Sequence, residues 1–184
     1  DTIDAGDGDN IVLGDDGNIT INASGVLTNV VSTGAIATRI GLTNDDTITT
    51  GDGDDTIAGG YDADTINAGA GDDVILGDNG QATFNNLAIL TFITSTDNHT
   101  GGNDVITTNT GNDIAFGGYG VDYINVQNDT AHTLLSDDGN DILVGDNATA
   151  IFITDGVDTI ETNAGQGSED YIHSTNGQDV ILGG

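Results

Sequence analysis

Every nine residues along much of this chain, an aspartate is followed two positions later by an aliphatic residue, and few folds accommodate that spacing. Residues 50–76 read TGDGDDTIA, GGYDADTIN, AGAGDDVIL, with Asp55, Asp64 and Asp73 at the sixth position and Ile57, Ile66 and Ile75 at the eighth. Asp46 and Ile48 fit the same frame one unit earlier. A second run carries Asp104/Ile106, Asp113/Ala115 and Asp122/Ile124, then Asp141/Leu143 beyond a ten-residue interruption that contains His132. Asp1/Ile3, Asp158/Ile160, Asp170/Ile172 and Asp179/Ile181 occupy the same two slots, and Asn10 with Val12 brings the matching units to thirteen. Nine residues cannot bury an apolar face alone, so a period this short implies units stacked on their neighbours.

Each unit divides into a glycine-bearing turn and a short strand. Glycine supplies the positive φ of a tight turn, and the alternation of a strand turns the eighth residue inward. Each nonapeptide is then half a coil, and the chain is predicted to be all-β, a parallel β-roll or β-solenoid with a narrow aliphatic core. The sixth-position aspartates recur on each side every second unit, about 4.8 Å apart along the stack. Carboxylates that close repel, and a cation between coils would remove the repulsion. Calcium accepts about six to eight oxygens at flexible angles, whereas magnesium demands octahedral geometry and transition metals favour histidine or cysteine. The candidate metal ligands are Asp46, Asp55, Asp64, Asp73, Asp104, Asp113, Asp122, Asp141, Asp158, Asp170 and Asp179. The expected pairs are Asp46 with Asp64, Asp55 with Asp73, Asp104 with Asp122 and, across the interruption, Asp113 with Asp141.

The nonapeptides resemble the RTX (repeats-in-toxin) family, whose repeat is G-G-x-G-x-D-x-U-x. Residues 42–80 and 100–125 carry the likeness densely. Thr50, Ala68, Thr108 and Asn109 depart from it at the first two positions, and weaker metal binding is expected at those turns. The resemblance implies several Ca2+ ions, with turn carbonyls and side chains such as Asp52 and Asp54 completing the ligand sets. It also implies export through a type I secretion system, with calcium folding the chain outside the cell.

Composition agrees with that reading. There are 31 acidic residues against one basic residue, Arg39, for a net charge of −30, and all but Glu161 and Glu169 of the acids are aspartate. High charge with few aromatics normally marks disorder. Here 35% of residues are hydrophobic, set at regular positions beside 29 glycines. Nucleic acid and acidic membrane surfaces are excluded as partners for want of cations. No apolar run reaches the length of a membrane span, and the chain opens without a signal peptide. Cysteine is lacking, so no disulfide or thiolate site exists.

Above the short period lies a longer one. IVLGDDGNITI at 11–21, VILGDNGQATF at 74–84 and ILVGDNATAIF at 142–152 recur at spacings of 63 and 68 residues. They divide the chain into modules of about 1–14, 15–77, 78–145 and 146–184. The inserts, 15–44, 78–100 and 146–156, contain β-type runs at Ile19–Ile21, Val26–Val31, Ala88–Ile93 and Ala150–Ile153. Just before each signal the seventh and ninth positions are apolar as well: Ile11 and Leu13, Val74 and Leu76, Ile142 and Val144, then Val180 and Leu182. Strands apolar on both faces must be covered. The inserts are therefore predicted to form hairpins or strands over one outer face, with Ile114 and Phe116 on the same side. Thr47/Thr49, Thr65/Asn67 and Tyr123/Asn125 are predicted to face outward on the other side. In the last module, where Asp158, Asp170 and Asp179 follow the signal, this alternation fails.

Other chemistries fit poorly. His99, His132 and His173 show no paired-ligand spacing, and His132 with Ser136 and Asp137 makes no nucleophile elbow, so the three histidines read as ordinary polar surface. An EF-hand needs a glutamate at loop position twelve that neither Glu161 nor Glu169 supplies. Glycosidase carboxylates occur once in a cleft, not periodically. Threonine rows of ice-binding type are broken by Ala58, Tyr123 and Tyr171. The expected function is a calcium-binding structural segment, not an enzyme, of a large extracellular or cell-surface bacterial protein, as an adhesin or surface-layer-like extender. Entry and exit in mid-repeat suggest a longer array or a filament, with neighbouring repeats or like subunits as partners. The alternative is the calcium-binding accessory region of a secreted enzyme or toxin.

Overall fold

The computed structural model describes residues 1–33, 43–97, 99–153, 156–163 and 168–184. The chain begins with β1 (Thr2–Gly6) and β2 (Ile11–Leu13), which lie in two different parallel sheets, here A and B. A hairpin of β3 (Gly17–Ile21) and β4 (Leu27–Ser32) then departs into a third sheet, C. The next four strands alternate between sheets A and B: β5 (Thr47–Thr50), β6 (Thr56–Gly60), β7 (Thr65–Asn67) and β8 (Val74–Asp78). A second hairpin, β9 (Gly80–Phe84) and β10 (Leu90–Ser95), again enters sheet C.

The cycle repeats with β11 (Val105–Thr107), β12 (Ile114–Gly118), β13 (Tyr123–Ile124) and β14 (Ile142–Asp146), followed by the hairpin of β15 (Ala148–Ile153) and β16 (Gly156–Thr162). β17 (Tyr171–Ile172) and β18 (Val180–Leu182) complete sheets A and B. Sheet A runs β1-β5-β7-β11-β13-β17, and sheet B runs β2-β6-β8-β12-β14-β18. All-parallel sheets suit a solenoid because each strand pairs with the one a full coil away. Sheet C, ordered β3-β4-β9-β10-β15-β16, is antiparallel.

The eighth-position residues stack without slipping. Ile3, Ile48, Ile66, Ile106, Ile124 and Ile172 are successive partners in sheet A. Val12, Ile57, Ile75, Ala115, Leu143 and Ile181 are their counterparts in sheet B. All but Ile181, which is 49% exposed, form the inner core, in which Ile48, Ile66, Ile75, Ile106, Ile124 and Leu143 are fully buried. Each such side chain stabilises by about 1.5–3 kcal/mol, but only when the coils on either side are present.

A second core lies between sheets B and C. Val74, Leu76, Phe116 and Val144 on the outer face of sheet B meet Val30, Ala82, Phe84, Ile93, Ala148 and Ala150 of the hairpins. The hairpins therefore cover the doubly apolar strands as a third layer, except at β18, where Val180, expected to be covered, is 43% exposed. Asx turns close the first two: Asn22 Oδ1 accepts the amides of Ser24 and Val26, and Asn85 Oδ1 those of Leu87 and Ile89. Among the described residues no helix is long and apolar enough to cross a membrane.

Three expectations need correction or qualification. Asp158 and Ile160 are not a nonapeptide: Asp158 is exposed on β16, and Ile160 pairs with Ala150 in the third hairpin. An aspartate two residues before an isoleucine also fits any half-buried antiparallel strand, and Asp158 lacks the preceding glycine-rich turn. The third insert thus extends through β16, which restores the alternation of sheets in the last module. Asn125, expected outward beside Tyr123, is fully buried with φ 57°, because the chain turns inward there toward the ten-residue interruption. Part of the first insert, including Arg39, lies outside the described residues.

Candidate metal centres

The turns between sheets bring the sixth-position side chains to the two edges of the solenoid. On the edge leading from sheet B to sheet A, the backbone N–H of Asp46 donates to Oδ1 of Asp64 at 2.7 Å, that of Asp64 to Asp104 at 2.8 Å and that of Asp104 to Asp122 at 2.8 Å. The amide of Asp122 continues to Asp170 at 3.0 Å. On the opposite edge the amide of Asn10 donates to Asp55 at 2.7 Å, Asp55 to Asp73 at 2.8 Å and Asp73 to Asp113 at 2.8 Å. Asp113 then donates to Asp141 at 2.9 Å, and Asp141 to Asp179 at 3.0 Å.

The aspartates expected to be neighbours within a run are thus adjacent, and the columns also join across the inserts. Asp64 meets Asp104, and Asp73 meets Asp113, although 40 residues separate each pair. Asp158 stands apart from both columns.

This arrangement leaves half of most column carboxylates without a partner, Asp179 Oδ2, which accepts the Ser174 hydroxyl, being an exception. Oδ2 of Asp46, Asp55, Asp64, Asp73, Asp104, Asp113, Asp122, Asp141 and Asp170 is buried and makes no hydrogen bond. Buried charge without a counter-charge is costly, and at Asp64, Asp73, Asp104, Asp113, Asp122, Asp141 and Asp170 the carboxyl responds by holding its proton more tightly. Burial, opposed by the amide bond and reinforced by neighbouring carboxylates, pushes Asp64 and Asp113 up to about 8 and Asp73 up to about 7. Asp122 rises to about 8 by burial and by the charges of Asp170 and Asp146. Asp104 is driven well above the usual carboxylate range by burial, then by Asp78 and Asp122. Asp141 rises to about 7 and Asp170 to about 6, again chiefly through burial.

Turn carbonyls stand beside these acids: a Cβ at Gly59 would fall 2.3 Å from Asp64 Oδ2 and 2.4 Å from the Gly77 carbonyl oxygen. The fourth-position glycines Gly53, Gly71 and Gly111 have φ of 143°, 142° and 139°, and the Gly71 carbonyl oxygen would lie 1.8 Å from a Cβ at Gly111. Only glycine lets the turns stack this tightly. The donor set is hard oxygen throughout, carboxylate and carbonyl, which fits calcium and gives a transition metal nothing softer to bind. Asp52 and Asp54 are exposed on the rim, where Asp54 Oδ1 accepts the amide of Asp72 at 3.0 Å.

Two kinds of acid escape the nine-residue pattern. Asp78 is 3% exposed and accepts the amides of Gly102, where the chain re-enters after the second hairpin, and of Tyr119 in the turn of the next coil. Asp15 likewise accepts the amide of Tyr61 at 2.8 Å, and Asp146 that of Ser168 at 3.1 Å. These aspartates follow Gly14, Gly77 and Gly145 at the three signals, where uninterrupted turns have a second glycine such as Gly60 or Gly118. That substitution was the available clue. Asp137 is the other case: it is buried, and Asp113, Asp137 and Asp141 each offer an oxygen within 4.8 Å of the others.

The RTX calcium-binding nonapeptide repeat matches the chain in four copies, at residues 1–18, 40–75, 49–83 and 100–130, together just over half its length. The chain belongs to the RTX calcium-binding repeat family. Comparison with curated proteins and with solved structures gives no match. The RTX repeat binds Ca2+ as its cofactor, and the unpartnered carboxylate oxygens accord with that chemistry. It is a structural calcium-binding region rather than a catalytic one.

Proposed function

We propose that this RTX segment is a calcium-folded strut of a large secreted or cell-surface bacterial protein, an extender of adhesin or surface-layer type. The reading rests on the two aspartate columns, which keep their register through each hairpin junction. Asp46, Asp64, Asp104, Asp122 and Asp170 would hold ions on one edge, and Asp55, Asp73, Asp113, Asp141 and Asp179 on the other. Without ions, every buried carboxylate opposes the stacked state. With them, binding and folding become one equilibrium.

Such coupling suits a protein that must leave the cell unfolded through a type I secretion system and stiffen in external calcium. Neighbouring repeats of a longer chain, or like subunits, are its natural partners because both parallel sheets propagate in one direction. Circular dichroism with calcium, with a chelator, and with magnesium as control tests this. At pH 8 a β-rich spectrum is expected with calcium alone, and one that survived complete chelation there would sink the proposal. Pulling single molecules with and without calcium tests the strut: resistance to extension should appear only with the ion.

A further inference from the structure

We infer that Asp113, Asp137 and Asp141 form a three-carboxylate cation site, distinct in kind from the paired-aspartate sites along the rest of the solenoid and the tightest-binding site of the chain. The inference rests on the calcium reading and deepens it. Asp113 and Asp141 are consecutive members of one column, whereas Asp137 enters from the turn itself. The bridges Asp52–Ala70, Ala70–Thr110 and Thr110–Asp138 align the turns and put Asp137 at the second position, level with Gly51, Gly69 and Asn109.

Gly69 and Asn109 hold that position at φ 95° and 72°, a region that suits glycine and asparagine. Asp137, like Gly51, lies outside it, and the chain reaches its turn by another route. After β13 the backbone forms a small loop, in which Val126 bridges to Leu134 and the amide of Leu135 donates to the Asn125 carbonyl. The chain then re-enters with the Asp137 carboxylate turned into the interior, where the residue is 1% exposed.

A buried relay fixes it there. Asn125 Oδ1 accepts the amide of Thr108 at 2.9 Å, Asn125 Nδ2 donates to Thr108 Oγ1 at 2.9 Å, and that hydroxyl donates to Asp137 Oδ1 at 3.1 Å. Oδ2 of Asp113, Asp137 and Asp141 is left unpartnered in all three. Three carboxylates around one point offer a net charge that two cannot, and ligand charge count is a principal determinant of calcium affinity. The same surplus favours a trivalent ion of similar size.

Isothermal titration of the intact chain with calcium, and separately with lanthanum, tests this. In the wild-type protein one ion should bind at least about tenfold more tightly than the rest, with lanthanum preferred most strongly there. Asp137→Gly, which restores the family residue, and Asp137→Asn should abolish that class and leave the remaining ions unchanged. Circular dichroism at saturating calcium confirms that each variant is folded. A uniform set of sites in the wild type overturns the inference whatever the variants do, as does a tight class that survives both substitutions. If the wild type takes up no calcium, the calcium reading falls too. Calcium uptake with no effect of Asp137 overturns this inference alone.

Discussion

Along the edge where the chain passes from sheet A to sheet B, the first turn position holds Thr50, Ala68, Thr108 or Ser136; along the opposite edge it holds Gly14, Gly59, Gly77, Gly117 or Gly145. Both edges carry the same column of aspartates with the same amide bonds. They differ in what lies against the free oxygen. A Cβ at Gly59, Gly77 or Gly117 would fall 2.3, 2.3 or 2.4 Å from Oδ2 of Asp64, Asp104 or Asp122. On the other edge Ala68 and Thr108 carry a Cβ and are fully buried. First-position departures from the repeat, which look scattered along the sequence, therefore segregate to one side of the solenoid. The first-position glycine marks an edge, and it is the edge from which the hairpins leave.

The largest effect should come from what the edges share. Asp64 and Asp122 on one, and Asp73 and Asp113 on the other, are raised to about 7–8. A carboxyl that holds its proton more tightly when folded contributes stability that is complete below its unfolded value, near 3.9, and is lost as pH rises through the folded value. Metal-free protein should thus be more structured at pH 5 than at pH 8. Calcium-loaded protein should show the reverse, since protons compete for the same oxygens. Circular dichroism in calcium-depleted buffer across this range measures it, and a pH-independent metal-free spectrum would contradict the burial on which it rests. If only half the transition appears, the edges titrate separately.

The next largest effect should separate the edges. Gly77→Ala drives a Cβ against Asp104 Oδ2 at 2.3 Å and the Gly117 carbonyl at 2.5 Å, and packed backbone cannot yield. It should cost about 3 kcal/mol in urea unfolding at saturating calcium. Ala68→Gly, the opposite exchange on the other edge, should cost only about 1 kcal/mol through lost burial and backbone entropy. Equal costs would mean that the two edges are equivalent.

How much of this the sequence could reveal depends on whether a residue acts through spacing or through shape. The eighth-position aliphatics act through spacing, and so do Ile11 and Leu13 or Val74 and Leu76, whose double-sided apolar pattern calls for the covering sheet. Asp158 obeys the spacing yet sits in a hairpin, because an alternating strand produces the same two-residue interval. Asp78 and Asp137 break the spacing and are nevertheless buried among the column acids. They stand where the repeat has glycine, and only the stacking of turns from distant parts of the chain shows that a carboxylate fits there.

A smaller effect should change sign with calcium. Asp104→Asn keeps an oxygen for the Asp64 amide but removes a fully buried charge. With calcium it should weaken uptake of one ion by about tenfold, as loss of a charged ligand does. At pH 8 without calcium it should raise the residual structure of the chain, since no charge then needs burial. Asp54→Asn, on the exposed rim, should do neither. A loss of structure under both conditions would assign Asp104 to packing alone.

The smallest expected effect lies on the face of sheet A, away from both edges. Thr49 is partly exposed there, and Asn67 beside it is exposed. Thr49→Ala should shift stability by less than about 0.5 kcal/mol. Asp64→Ala and Asp73→Ala each remove a carboxylate that accepts the previous aspartate's amide, and so leave that buried N–H unpaired as well as removing a calcium ligand. Both should loosen their neighbouring coils, seen as faster amide hydrogen exchange at Ile48 and Ile66 for the first and at Ile57 and Ile75 for the second. If Thr49→Ala matched either of them, strand pairing on the open face, rather than the turn columns, would set the stability of the stack.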